Sequence, residues 1–460
     1  MTATARALAA LLAAALLAPA AAQDLLVTNA RIVTVVGGEI ESGSILVRGG
    51  RIAAIGDVAG NQARDIPPER RIDAGGATAY PGIFAPFTQL GMVEVGAVAA
   101  TNDTDEGKVG ANVAQLQAAD AYNPLSELIP VTRRTGITTA YVAPSPGNVI
   151  SGQGFVAQLR GATLEEAVVR NPVALHISLG ERPKDRYQSG GPSTRMGLAA
   201  FIRGQLIEAQ EYRDRWRRHA DALARHGKKA ADFPQKLAQW QARPPAERGS
   251  EPEPPEPPEA PRRDLQKDAL VRALDGHVLT VVTAQRLDDI ETALRLADEF
   301  GLRIAILGGA DAWRIASTLA ERKVPVLLSP TEQPDSMETQ GAVYENAKIL
   351  HEAGVTIALY AGDTSHNVRN TPFEAAVAVA HGLPRDAALR AITVNPAQIF
   401  GLEKDLGGIA TGKIANLLIA DGDPLDPKTR VQHVIVGGEP MPLGTRQTDL
   451  AKKHAGYEVE

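Results

Sequence analysis

The sequence contains no cysteine. That excludes disulfides and an acylated lipoprotein anchor, so the core must hold the fold unaided. There is no basic excess either: 48 Lys and Arg stand against 54 Asp and Glu, a formal net charge of -6. Nothing in that balance invites nucleic acid or an anionic membrane surface, and neither is expected as a partner. No apolar run is long enough to span a bilayer comfortably. The nine histidines, at 176, 219, 226, 277, 351, 366, 381, 433 and 454, include no two that stand two, three or four residues apart. Local chelating pairs of the HxH or HExxH kind are therefore absent.

What is present is a globular composition, 44% hydrophobic and 22% charged over 460 residues, enough for one large domain and a small one. At the start, Arg6, the apolar run Ala7 to Leu17 and the small residues Ala18-Pro19-Ala20-Ala21-Ala22 read as a secretory signal over 1–22, cut near Gln23. An uncleaved anchor is the competing reading, but the run is short for it. The expectation is an exported protein, periplasmic or secreted, with no membrane span in the mature chain.

From Leu25 to Asp73 short strands alternate with Gly-Gly turns at 37–38, 49–50 and 75–76, and two further strand candidates, Ala415 to Ala420 and Val431 to Val436, lie near the other end. Strands at both ends that need partners predict one small, β-sandwich-like domain from 23–78 and 403–445. Between them, over 79–402, eight short apolar runs alternate with helical patterns. They are Ile83 to Phe87, Thr138 to Val142, Phe155 to Leu159, Val173 to Ser178, Val278 to Val282, Arg303 to Leu307, Val324 to Leu328 and Thr356 to Tyr360. Repeated βα units predict an α/β fold, a (β/α)8 TIM-like barrel. An open doubly wound sheet is the alternative, but no Gly-rich phosphate fingerprint follows the first strand. The segment 204–267 breaks the rhythm with a helical half, Gln205 to Gln241, and the run EPEPPEPPEAP. It predicts a solvated insertion, with a lid over the barrel mouth as the other reading.

Several blocks carry a resemblance. AYPGIFAPFTQLG at 79–91, Gly180-Glu181-Arg182-Pro183-Lys184, His366-Asn367-Val368-Arg369-Asn370, Ala391 to Ala397, Gly407-Gly408-Ile409 and Asp421-Gly422-Asp423-Pro424 are similar to segments of the amidohydrolase superfamily, in its imidazolonepropionase-like exported branch. The resemblance spans Leu25 to about Met441. It implies a hydrolase of carbon–nitrogen bonds (amide, cyclic amide or dipeptide) that uses His-bound, zinc-like divalent metal.

The resemblance also says where the metal ligands belong. The family's first strand reads Pro-Gly-x-x-Asp-x-His-x-His, where this chain has Ala85, Phe87 and Gln89. Its other His positions read Thr283 and Gly308, and the tail has Asn416 where Asp is common. Phe cannot ligate, and a Gln amide is a weak ligand for such a metal. The last-strand acid is kept as Asp363, the candidate catalytic residue, which takes a proton from water in that scheme. At the fourth strand, His176 leads to Glu181 and Lys184, either of which is open as the stand-in for the family's bridging group. Gln89 and Gln285 suit a polar, metal-free pocket, and His366 follows the last strand. No metal ligand is assigned. The readings are therefore a hydrolase, with divalent metal as cofactor only in that case, or a degenerate member kept for binding. Its expected partners are a small amide-type ligand and either a second copy or an intact relative.

Overall fold

The computed structural model describes residues 24–58, 62–104, 110–332, 334, 336–362 and 365–456. The predicted signal segment and Asp363 lie outside the described residues. Among those residues, no helix is long and apolar enough to cross a membrane.

The chain opens with β1 (Leu25–Val33), β2 (Glu39–Arg48), β3 (Arg51–Gly56), β4 (Arg71–Asp73) and β5 (Thr78–Pro81). The turn between β2 and β3 is Gly49-Gly50, both at positive φ, the conformation that a tight two-residue hairpin requires. After Gly82 the chain enters the second sheet through β6 (Ile83–Thr88), β7 (Ile137–Val142), β8 (Ile150–Gln158), β9 (Val168–Ser178), β10 (Leu279–Ala284), β11 (Ile304–Gly308), β12 (Val326–Leu328) and β13 (Ile357–Leu359). It then returns through β14 (Leu417–Ala420), β15 (Val431–Val436) and β16 (Glu439–Met441).

The first sheet has the order β16-β15-β14-β5-β1-β2-β3, with β4 also on β1. β5 runs antiparallel to β14 and parallel to β1, so the two ends of the chain meet in one mixed sheet. Asn416 ties that sheet to the other. Its Oδ1 accepts from Gln158 Nε2 at 3.1 Å and from the Gly437 amide at 2.8 Å, and its Nδ2 donates to Thr139 Oγ1 at 3.0 Å.

The second sheet orders β6 to β13 consecutively and curves into a nearly closed, TIM-like barrel. All eight expected strands are present. Their strands are parallel except β8, which is antiparallel to both β7 and β9. A short loop joins β7 to β8, so one regular βα unit is replaced by a hairpin.

The insertion differs from the expected solvated linker. One helix, Arg195–Gln241, starts nine residues before the predicted segment, capped by Thr194 on the Gly197 amide. Leu198, Ile202, Leu206, Ala209 and Tyr212 are buried at helical spacing, so its first half is barrel wall against the helices Leu265–Leu274 and Leu287–Phe300. The Pro-Glu run then folds back along the second half. Trp240 Nε1 donates to Gly249 O at 3.0 Å, His226 Nε2 lies 2.9 Å from Pro255 O, and the Asp264 amide reaches Tyr212 Oη at 3.3 Å. Pro252, Pro255, Pro258 and Pro261 are half-buried every third residue, facing the half-buried helix stripe of Trp216, His219, His226, Phe233, Leu237 and Trp240. A polyproline strand advances about 3.1 Å per residue in threes, so residues 249 to 264 cover about 46 Å. Residues 212 to 240 of an α-helix cover about 42 Å. Composition excludes a core of the run's own, but a strap needs only someone else's stripe. Replacing residues 251–258 by Gly and Ser should therefore lower helical circular dichroism and expose Trp216 and Trp240 to fluorescence quenchers. An unchanged spectrum and unchanged quenching would contradict the strap.

Candidate functional site

The C-terminal ends of the strands open into a cleft of about 800 Å³. Phe87, Thr283 and Leu307 line its floor, and Ser329, Thr331 and Tyr360 its side, while Glu181, Arg182, Asp185, Glu338 and Glu374 stand around it. A groove of about 620 Å³ lies at the opposite end of the strands, beside Leu279, Arg303 and Ile304. In a barrel of this kind chemistry belongs to the C-terminal face, and the first cleft is the candidate site.

Below the floor the barrel interior is aromatic. Phe87 sits 5.8 Å from the His176 ring and edge-on to Tyr360 at 5.6 Å. Tyr141 stacks on His176 and packs 4.2 Å from Phe400. Residues on a strand alternate faces, but β6 has an irregularity between Ala85 and Thr88. It lets both Phe84 and Phe87 turn into the interior cluster. His176 is wholly buried in this column, with Nε2 2.7 Å from Tyr141 Oη. Burial pulls its imidazole down to about 3, so the ring is neutral.

The expected site residues divide accordingly. Phe87, Glu181, Thr283 and Gln285 line the cleft, and Gly362, next to Asp363, lines it as well. His176 is beneath the floor, held there by its aromatic neighbours. Gln89 is buried outside the lining, where the chain turns through bonds from the Leu90 amide to Thr88 Oγ1 and the Met92 amide to Gln89 O. Lys184 lies on the flank of the short helix Glu181–Arg186 that does not line the cleft, and His366 points into solvent. Gly308 has φ +97, and a Cβ there would meet Gln285 Oε1 at 2.6 Å. The Gln285 side chain thus occupies the space above Gly308, fixed by the Ala310 amide at 3.1 Å.

Sequence reasoning missed Arg182, Asp185, Ser329, Thr331, Glu338 and Glu374. Ser329 and Thr331 directly follow the seventh apolar run, the position at which a barrel displays its polar groups, so that signal was available. Glu374 comes from the helix Thr371–Ala380. Its carboxylate accepts from Thr331 Oγ1 at 2.8 Å, the Thr331 amide at 3.0 Å and Ser329 Oγ at 3.3 Å. Burial pushes it above the usual carboxyl range, against the pull of those donors. Glu338 accepts the Glu181 amide at 2.8 and 3.0 Å and lies 3.6 Å from Arg195. Burial pushes it up too.

Among the described residues no group of three His, Cys, Asp or Glu is placed to hold a metal ion. The residues at the expected ligand positions do not fit one: Phe87 is locked in the aromatic column and Gly308 carries no side chain.

Two substitutions test this geometry. The folded His176 ring refuses a proton until about pH 3, whereas an unfolded one takes it below its ordinary 6.5. Its stabilising contribution is complete above 6.5 and is lost as pH falls through that value, about 2 kcal/mol by pH 5. His176→Phe should cost about 1–3 kcal/mol at pH 7, through the stranded Tyr141 hydroxyl. Its disadvantage should shrink by about 2 kcal/mol at pH 5 in urea unfolding; a constant gap would contradict the assignment. Gly308→Ala should cost about 1–3 kcal/mol through overpacking and positive φ. Adding Gln285→Ala should recover part of that loss, and full additivity of the two costs would show that the side chains do not compete.

The comparisons agree with this architecture. A sequence model of the amidohydrolase family matches residues 281–441. Amidohydrolase tasK of Hapsidospora irregularis is 24% identical over 448 residues, covering 91% of this chain and 41% of that protein. The chain thus spans about two-fifths of that relative's length. The crystal structure of an amidohydrolase from Thermotoga maritima MSB8 aligns with a TM-score of 0.76 at 28% identity, covering 92% of this chain and all of the other. A prolidase complexed with N-methylphosphonate-L-proline shares the fold, with a TM-score of 0.50 at 16% identity over 91% of this chain and 99% of that one. With its barrel, its composite second sheet and the motif blocks that link them, the chain belongs to the amidohydrolase superfamily.

Proposed function

We propose that the barrel mouth binds a small amide-type ligand, and that it does so without the histidine-held metal implied by the family. The observation that carries this reading is the filling of the ligand positions. Phe87 is packed between His176 and Tyr360, and Gln285 stands over Gly308. What remains around the cleft is a set of hydroxyls, amides and carboxylates suited to hydrogen-bonding an amide. The protein acts, on this reading, outside the cytoplasm after loss of residues 1–22. It serves as a binding protein or as the partner of an intact relative.

A second reading, hydrolysis of a carbon–nitrogen bond, is favoured by the two carboxyls that burial pushes up, Glu374 and Glu338. A carboxyl raised above its ordinary range is better placed to hand a proton to a leaving amine. Asp363, next to the cleft-lining Gly362, would be the base that draws the proton from water.

The deciding experiment uses protein from Gln23 onward, dialysed against trace zinc, manganese or cobalt. Metal content is measured beside thermal shifts with dipeptides and cyclic amides. The expected outcome is metal at background, a raised Tm with ligand and no turnover. Near-stoichiometric metal that disappears in Asp363→Ala overturns the metal-free site. Metal-free turnover that falls at least about 100-fold in Glu374→Gln establishes the second reading instead.

A further inference from the structure

We propose that this mouth selects ligands bearing an organic cation, an ammonium or guanidinium group attached to the amide-type core. The inference rests on the binding reading above and adds the chemical class.

The first observation is charge. Glu181, Asp185, Glu332, Glu338 and Glu374 line the cleft, and Arg182 is the basic side chain among the described lining residues. Arg195 lies 3.6 Å from Glu338, but it is divided with Asp289 at 2.9 Å and Asp288 at 3.6 Å. The wall therefore stays negative. Low-dielectric walls around carboxylates of one sign concentrate cations.

The second observation is independent of the acids and comes from the floor. Ser178 is wholly buried, and its Oγ has no hydrogen-bond partner. On β9 it stands two residues beyond His176, so it faces the barrel interior one layer nearer the mouth. Its register partner on β10 is Thr283, whose Oγ1 is likewise buried and unpartnered and which lines the cleft. Buried polar groups in folded proteins are satisfied, and the Thr283 hydroxyl at the cleft and the Ser178 hydroxyl behind it, which does not itself line the cleft, can each accept a hydrogen bond as well as donate one. Ammonium and guanidinium groups are donors only. The same cation that the wall attracts is thus one that the floor can bond. Burial, and after it the charge of Glu181, raise the Glu338 carboxyl, the strain that a cation placed between them relieves.

An inorganic cation suits this arrangement less well. The carboxylates are spread around about 800 Å³, and no three acidic or imidazole groups among the described residues converge on one point. An extended organic cation spans such a distance.

The test is calorimetric titration of the full mature chain with N-acetyl-arginine amide and with its neutral isostere N-acetyl-citrulline amide. The arginine probe should bind at least about tenfold tighter, the worth of one charge-assisted hydrogen bond. Glu181→Gln combined with Asp185→Asn, both on the solvent-facing helix Glu181–Arg186, should reduce that preference to below about threefold. Ser178→Ala breaks no bond within the described residues and should weaken the arginine probe several-fold without lowering Tm. Equal binding of the two probes, or a preference untouched by these variants, overturns the cation assignment and leaves amide binding standing. Failure of both probes to bind at about 10 mM overturns the assignment and the amide-binding reading together.

Discussion

The barrel is held open at one end and shut at its centre by a single aromatic column. Phe400, Tyr141, His176, Phe87 and Tyr360 follow one another through the interior with ring separations between 4.2 and 5.8 Å. Aromatic pairs at such distances add to the free energy of burial, and the column sets the depth of the cleft. The cleft above Phe87 carries the hydroxyls, amides and carboxylates, whereas the column below it is buried. The Tyr141–His176 bond satisfies the phenol, and neutral imidazole is the form compatible with that burial. A side chain that is functional in type is thereby structural in place.

The mouth is in turn tied to the long helix. Arg195, the first residue of that helix, donates to Asp289 at the start of the Leu287–Phe300 helix and lies 3.6 Å from Glu338, which lines the cleft. Glu338 receives the amide of Glu181. One guanidinium therefore couples the outer wall, the acidic rim and the end of β9. Two of its three carboxylate partners, Asp289 and Glu338, are largely buried and pushed up by that burial, and the charge of the arginine opposes the shift in each. The arm formed by the distal helix and its proline strap extends the same helix outward.

Most of the architecture was legible because it rests on local periodicity. Apolar runs of about five residues separated by helical patterns gave every barrel strand, and Gly-Gly pairs marked the hairpins. The antiparallel course of β8 was not legible, because a buried strand reads identically in either direction. The strap was missed for a different reason. Proline-rich composition reports that a segment has no core of its own, yet the partner stripe of Trp216, His226, Phe233 and Trp240 lay in plain sight at helical spacing. At the site, Phe87, Glu181, Thr283 and Gln285 follow from their place at strand ends. His176 was a pocket candidate from its place on the fourth strand, with packing inside the barrel as the commoner reading for a lone histidine, and it lies buried beneath the floor on Tyr141. Glu374 comes from a helix whose other residues are apolar beyond the first, Thr371, so only its hydrogen bonds to Ser329 and Thr331 identify it.

On the metal-free reading proposed above, the family's metal chemistry is not one substitution away. An imidazole at position 308 needs more than a new side chain, since the backbone there has φ +97 and Gln285 fills the volume above it. Gln285 is held by the Ala310 amide, which lies in the turn that Gly308 and Gly309 create. An imidazole at position 87 would replace a ring that packs on both His176 and Tyr360, leaving a polar group in the dry column. Each change therefore breaks a contact on which its neighbour depends, and the costs do not add independently. On the proposed reading, the orphaned hydroxyls, the acidic rim and the closed floor of the mouth together suit a ligand that brings its own donors.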